Sequence, residues 1–201
     1  VLFQSKHIWA VEGHRAACCD DGGLDVKTPF TVGVPALEHL KAFGDTEIQV
    51  DVNENWITFR SEGIRLTAHC VSNASLLSYE EIIPQNWKEE VRFHQKDFVQ
   101  ALKYLRACAG KSSKAYVRFD SGILTLRTAE CCYKAVVPID PESSIIFGFD
   151  IRYMLDALTQ FEKQELVTMR LTSPLGAISL VAGNSSAIVL PVRLKEEQKA
   201  A

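Results

Sequence analysis

Six cysteines and five histidines have the widest chemical repertoire in this chain, and their spacing supports little of it. The thiols stand as Cys18-Cys19, Cys70, Cys108 and Cys131-Cys132, with no C-x-x-C pair and no cysteine–histidine ladder. His7, His14, His39, His69 and His94 show no ligand spacing. Neither a metal nor a cofactor is therefore expected. Adjacent residues of a strand point to opposite faces, so each cysteine pair should give one core thiol and one outward thiol. All six read as reduced, which implies a cytoplasmic setting. No G-x-S-x-G, P-loop, H-E-x-x-H or Rossmann glycine pattern occurs. The nearest glycine cluster, Asp20-Asp21-Gly22-Gly23, has the composition of a turn. An enzyme is not expected.

What remains is the chemistry of binding. The run Ala187-Ile188-Val189-Leu190-Pro191-Val192-Arg193-Leu194 reads as a β-branched strand broken by one proline. Proline cannot donate to a ladder, so the run suits a sheet edge or the lip of a surface site. A second pattern is basic. Lys96, Lys103 and Arg106 share one side of a helical stretch, away from Phe98, Leu102 and Leu105, and Lys111 and Lys114 follow it. Arg152 and Lys163 on a later stretch, and Lys41 on an earlier one, hold comparable places. A solvated helix face explains this pattern; so does sequence-independent contact with phosphates. The net charge of −3 excludes a body coated with positive charge.

Several elements must position these groups. The chain has 201 residues, enough for one large domain or two of about 100. Its 47% hydrophobic and 23% charged content is that of an ordinary folded protein, with no run long enough to span a membrane. A weak internal repeat is present. Pro29-Phe30-Thr31-Val32-Gly33-Val34 leads into a helical pattern through Leu37, Leu40 and Phe43. Ile145-Ile146-Phe147-Gly148-Phe149 leads into Ile151, Leu155, Leu158 and Phe161, and the two glycines stand 115 residues apart. Alternating strands follow, through Ile48, Val50 and Val52 and through Leu166, Met169 and Leu171. Pro35 suits the start of the first helix and Gly44 its end. A further helix is expected over 95–109, closed by Gly110. Most other segments read as strands, which gives an α+β architecture. The boundary is expected near 84–90. That leaves a first unit, 1–84, with one helix, a second, 88–194, with two, and a polar tail, 195–201.

Five motifs, in order, carry a family resemblance that covers nearly the whole chain. Val1-Leu2-Phe3 is similar to a strand after the first helix of the middle domain of the bacterial DNA polymerase III beta subunit, the sliding clamp. Val11-Glu12-Gly13-His14-Arg15-Ala16 resembles that family's T-D-G-H-R-L. Tyr79-Glu80-Glu81-Ile82-Ile83-Pro84 resembles its Y-R-R-V-L-P. Gly148-Phe149-Asp150-Ile151-Arg152-Tyr153-Met154-Leu155-Asp156-Ala157-Leu158 resembles G-F-N-x-x-Y-L-L-D-A-L, and Leu190-Pro191-Val192-Arg193-Leu194 resembles M-P-M-R-L.

The resemblance implies repeated clamp domains, with antiparallel sheets outside and helices on the inner face of a ring around double-stranded DNA. It makes 1–84 a partial middle domain lacking its opening strand and helix, and 88–194 the C-terminal domain. It implies a processivity factor that binds polymerase and clamp-loader subunits through short linear motifs. One side of the peptide groove would use Val11, Gly13, His14, Arg15 and Ala16, with Pro84, Leu175 and Ala177 at its middle. Ile188, Val189, Leu190, Pro191, Val192, Arg193 and Leu194 would form the other wall. The DNA-facing cations would be Lys41, Lys103, Arg106, Lys111, Lys114, Arg152 and Lys163. Val11, Glu12 and Ala16 depart from the family's Thr, Asp and Leu, which implies a differently shaped groove. Ring closure in the family needs a first domain, so this chain alone is expected to be a monomer or a weak open oligomer. The alternative is a shortened homologue, a stand-alone peptide module competing for clamp partners. Retention on circular DNA separates the two.

Overall fold

A computed structural model describes residues 1–20, 23–71, 83–110, 115–161 and 165–194. The chain divides into two compact units, Val1–Val11 with Cys18–Tyr79, and Glu12–Ala17 with Glu80–Ala201. The segment Glu12–Ala17 goes with the second unit because hydrogen bonds and an ion pair hold it there.

Strands β1 (Leu2–Ser5), β2 (His7–Glu12), β3 (Arg15–Asp20) and β4 (Val26–Thr31) lie in the order β4-β1-β2-β3 and belong to the first unit except at Glu12 and Arg15–Ala17. Helix α1 (Val34–Leu40) follows, then a 3-10 turn (Lys41–Phe43) and the meander β5 (Gln49–Val52), β6 (Trp56–Ser61), β7 (Ile64–His69). Pro35 falls in the first turn of α1, where a missing N–H costs nothing. Gly44 closes the 3-10 turn at a positive φ of 59°, which a side chain would resist. No residue of α1 is fully buried, so the helix lies lightly on its unit. The core is a sheet core: Phe3 stacks on Phe30 at 4.8 Å, and Phe30 meets Phe59 edge-on at 6.1 Å. Phe43, Ile57 and Val32 complete it.

The second unit runs β8 (Glu89–His94), α2 (Gln95–Cys108), β9 (Tyr116–Asp120), β10 (Ile123–Arg127), β11 (Cys132–Val136), then β12 (Phe147–Asp150), α3 (Ile151–Thr159), β13 (Leu166–Leu171), β14 (Ile178–Ala182), β15 (Ser185–Val189). Each half is strand, helix and three-stranded meander. Each opening strand joins the other half's meander: β8 pairs with β13 and β12 with β9. This exchange ties the halves into one core. Phe98 of α2 sits at its centre, 4.6 Å from Phe93, 6.4 Å from Phe119 and 6.5 Å from Phe149. Gly110 ends α2 with a φ of +64°. Among the described residues no helix is long and apolar enough to cross a membrane.

Three details differ from the sequence-based expectation. Leu166 is exposed; the buried face of β13 is Val167, Met169 and Leu171, the strict period of two. Cys18 is buried and Cys19 half-buried, but Cys131 and Cys132 are both exposed. Cys131 lies in the turn before β11, bonded to Thr128, and β11 is the edge of its sheet, so neither thiol of that pair faces a core. The third concerns the C-terminal run. Its strand stops at Val189, because Pro191 has no N–H with which to extend the ladder. The chain then crosses to β12, where the Val192 amide donates to the Gly148 carbonyl at 2.8 Å.

Candidate peptide-binding site

Two features of the second unit bring expected site residues together. The first is an apolar cleft of about 390 Å³ lined by Phe147, Gly148, Pro174, Leu175, Val192, Arg193 and Leu194. Gly148 makes it possible. A Cβ at that position would lie 2.4 Å from Leu194 Cδ2 and 3.1 Å from the Val192 carbonyl oxygen. Leu175 stands 57% exposed, which leaves apolar surface for a ligand to cover.

The second feature surrounds Tyr153 of α3. His14 stacks on its ring at 5.6 Å, and the guanidinium groups of Arg15 and Arg152 lie 5.1 and 5.5 Å from the ring centre. Arg15 also donates through Nε to Glu12 at 2.7 Å and through Nη1 to Asp156. Burial alone would lower the pKa of Arg15; the bonds it donates to Asp156 and Glu12 outweigh that and hold the charge more firmly. The Leu190 amide donates to the His14 carbonyl at 2.9 Å, which fixes the start of the 190–194 segment beside this cluster. From there the same segment runs into the cleft. Both features hang on β12 and α3, which are consecutive in the chain. Asp150 joins them: it caps α3 by accepting from the Arg152 amide at 2.9 Å, and it takes the Arg152 guanidinium at 2.7 Å. Burial would raise its pKa, yet these bonds hold it below the usual carboxylate range.

The expected residues thus fall into groups. Leu175, Val192, Arg193 and Leu194 line the cleft. Gly13, His14 and Leu190 are exposed, Arg15, Pro191, Ala177 and Pro84 are half-buried, and Val11 is exposed in the first unit. Ile188, Val189 and Ala16 are buried, at 1%, 0% and 6%, and offer no surface to a ligand. The period of two explains why consecutive residues of the run cannot all face one groove, and Ile188 and Val189 lie where β15 is covered on both sides. Phe147, Gly148 and Pro174 line the cleft with these residues and Tyr153 stands at the cluster, although nothing in their local sequence marks them as site residues. Gly148 and Tyr153 both fall within the Gly148–Leu158 motif.

Of the expected DNA-facing cations, Lys41, Lys103 and Arg106 are exposed. Arg152 is not a free cation, because Asp150 holds its guanidinium. Lys111, Lys114 and Lys163 lie outside the described residues, as do Tyr79 to Ile82 of the middle motif.

The comparisons with known proteins bear on this geometry. Residues 80–193 match the family model described as the DNA polymerase III beta subunit, C-terminal domain. The chain belongs to the DNA polymerase III beta subunit family. No curated protein sequence matches it. Among solved structures, a putative beta subunit from Eubacterium rectale superposes with a TM-score of 0.82 at 15% identity, over 96% of this chain and 57% of that one. The sliding clamp of Pseudomonas aeruginosa, solved with a ligand, gives 0.80 at 18% identity over 96% and 57%. The beta subunit of Thermotoga maritima gives 0.79 at 16%, over 96% and 56%. The sliding-clamp fold is therefore shared, and the chain spans a little over half the length of these structures.

Proposed function

We propose that this chain acts as part of a DNA sliding clamp, tethering replication proteins to duplex DNA by gripping short linear motifs in the second unit. The first unit then corresponds to part of the clamp's middle domain. The observation that carries the reading is the 190–194 segment, anchored at Leu190 to the His14 carbonyl and at Val192 to Gly148, with the apolar cleft along it. An extended peptide would bury apolar anchors on Leu175, Val192 and Leu194. Its polar parts would meet His14, Tyr153 and Arg193. Arg15 enters this contact only by competing with Asp156, an exposed pair that costs about 1 kcal/mol or less to break. The DNA contact would rest on Lys103, Arg106 and Lys41 and be independent of base sequence.

Calorimetric titration with a Gln-x-Leu-Phe-type peptide tests the grip. Leu190 is 41% exposed, so Leu190→Asp leaves the core intact and places a charge at the start of the segment whose later residues line the cleft. Loss of one anchor weakens binding by about 2 kcal/mol or more, roughly 30-fold. A folded Leu190→Asp protein with unchanged affinity would remove the 190–194 segment from the site.

A further inference from the structure

At the ends of β2 and β3 away from their connecting turn, three different donor side chains converge. His7 Nδ1, Cys18 Sγ and an Asp20 carboxylate oxygen all lie within 4.8 Å of one another. Asp20 Oδ1 is the shared partner: it contacts His7 Nδ1 directly and takes the Cys18 thiol at 3.6 Å. This triad belongs to the first unit and has no part in the cleft or the basic face. Its sequence spacing hides it, because His7 is on one strand and Cys18 and Asp20 on the next, two apart and therefore on one face.

Two chemistries use cysteine, histidine and aspartate together. One is nucleophilic, with the imidazole beside the thiol to take its proton and a carboxylate behind the imidazole. Here the order is wrong, since the carboxylate stands between the other two. The other chemistry is coordination of a borderline metal, which takes a thiolate, an imidazole and a carboxylate oxygen.

We propose that His7, Cys18 and Asp20 form a binding site for a divalent zinc-type cation. Bond lengths of about 2.3 Å to sulfur and 2.0 Å to oxygen, at a tetrahedral angle, set sulfur and oxygen about 3.5 Å apart. The 3.6 Å separation of Cys18 Sγ and Asp20 Oδ1 meets that edge without movement. His7 and Asp20 must part to about 3.3 Å, and both side chains are more than a third exposed. The sulfur lies on the buried side, with Cys18 6% exposed, and the other two ligands on the solvent side. A cation therefore enters from water and leaves one position for a water molecule. Binding displaces the thiol proton to solvent. The ion would staple two strands whose ligands stand 13 residues apart, and would stabilise the first unit by mass action.

The test uses the full chain with cobalt(II) as the probe, because a cobalt–thiolate bond gives a near-ultraviolet charge-transfer band and tetrahedral geometry a visible one. Cys131 and Cys132 are exposed and would bind cobalt adventitiously, so the titration is run in a Cys131→Ser/Cys132→Ser background. The expected result is one equivalent bound with both bands, displaced by zinc, and zinc raising the melting temperature. Cys18→Ser should abolish the charge-transfer band. His7→Gln and Asp20→Asn, on side chains more than a third exposed, should each weaken binding at least tenfold. Bands absent from this background, bands surviving Cys18→Ser, or affinities unmoved by His7→Gln and Asp20→Asn would each overturn the site.

Discussion

Gly148→Ala is the sharpest probe of how the cleft is built. The added Cβ would sit 2.4 Å from Leu194 Cδ2 and 2.6 Å from Leu194 Cγ. Carbon atoms rest about 3.5–4.0 Å apart, so Leu194 must retreat by more than about 1 Å. The Val192 carbonyl oxygen, at 3.1 Å, resists the same displacement. Overpacking of this kind costs about 1–3 kcal/mol, and loosening the 2.8 Å bond from the Val192 amide to Gly148 adds about 1 kcal/mol. The segment can also detach, which limits the global loss to the cost of freeing 192–194 while removing one wall of the cleft. At about 2–4 °C per kcal/mol for a chain of this size, the melting temperature should fall by roughly 4–16 °C. The Val192 amide should lose protection in hydrogen exchange, and peptide affinity should fall by about tenfold or more if the proposed grip is right. Gly13→Ala is the control, since nothing lies within 4 Å of a Cβ there. A Gly148→Ala protein that melts within about 1 °C of the parent and protects Val192 equally well would refute the close-approach argument.

Two further outcomes follow from charges. Glu89 accepts from Ser143 Oγ at 2.6 Å and from the Ser144 amide at 3.1 Å; burial would raise its pKa, but these donors prevail and hold it below the usual range. A carboxyl depressed on folding stabilises above its unfolded value of about 4, and that stability is lost as pH falls through the lower folded value. Glu89→Gln should therefore lower the urea midpoint at pH 7 and converge on the parent as pH drops below about 4; parallel curves would exclude the role. On the basic face, Lys103→Ala with Arg106→Ala should reduce the slope of log affinity for duplex DNA against log salt by roughly 2, read by fluorescence anisotropy. An unchanged slope would take both residues out of the DNA contact.

How much was legible in the sequence depended on whether the controlling physics was local. Helix α2 announced itself through Phe98, Leu102 and Leu105 on one side and Gly110 at its end, because a 3.6-residue period and a left-handed closing residue are properties of a few neighbours. The same holds for α1 and α3 and for the strands with a clear alternation. The family too was readable, since its motifs survive as short words in order. Where Leu190-Pro191-Val192 goes was half legible: the proline forbade a continuous ladder, but nothing local named Gly148 as the next partner.

The sequence by itself determined the α+β class, the helices, the sliding-clamp family and the apolar character of the C-terminal run. The tertiary structure decided which of those residues face solvent and which meet across strands. It buried Ile188 and Val189 and left Leu190 exposed. It neutralised Arg152 on Asp150 and wrapped Tyr153 with His14 and Arg15, which stand more than 130 residues earlier. It gathered His7, Cys18 and Asp20 through a hairpin whose ligand spacing matches no linear motif. The reason is physical: hydrophobic period and backbone preference act between neighbours and leave their mark in the sequence, whereas burial, ion pairing and ligand convergence are set by partners that only folding brings within a few ångströms.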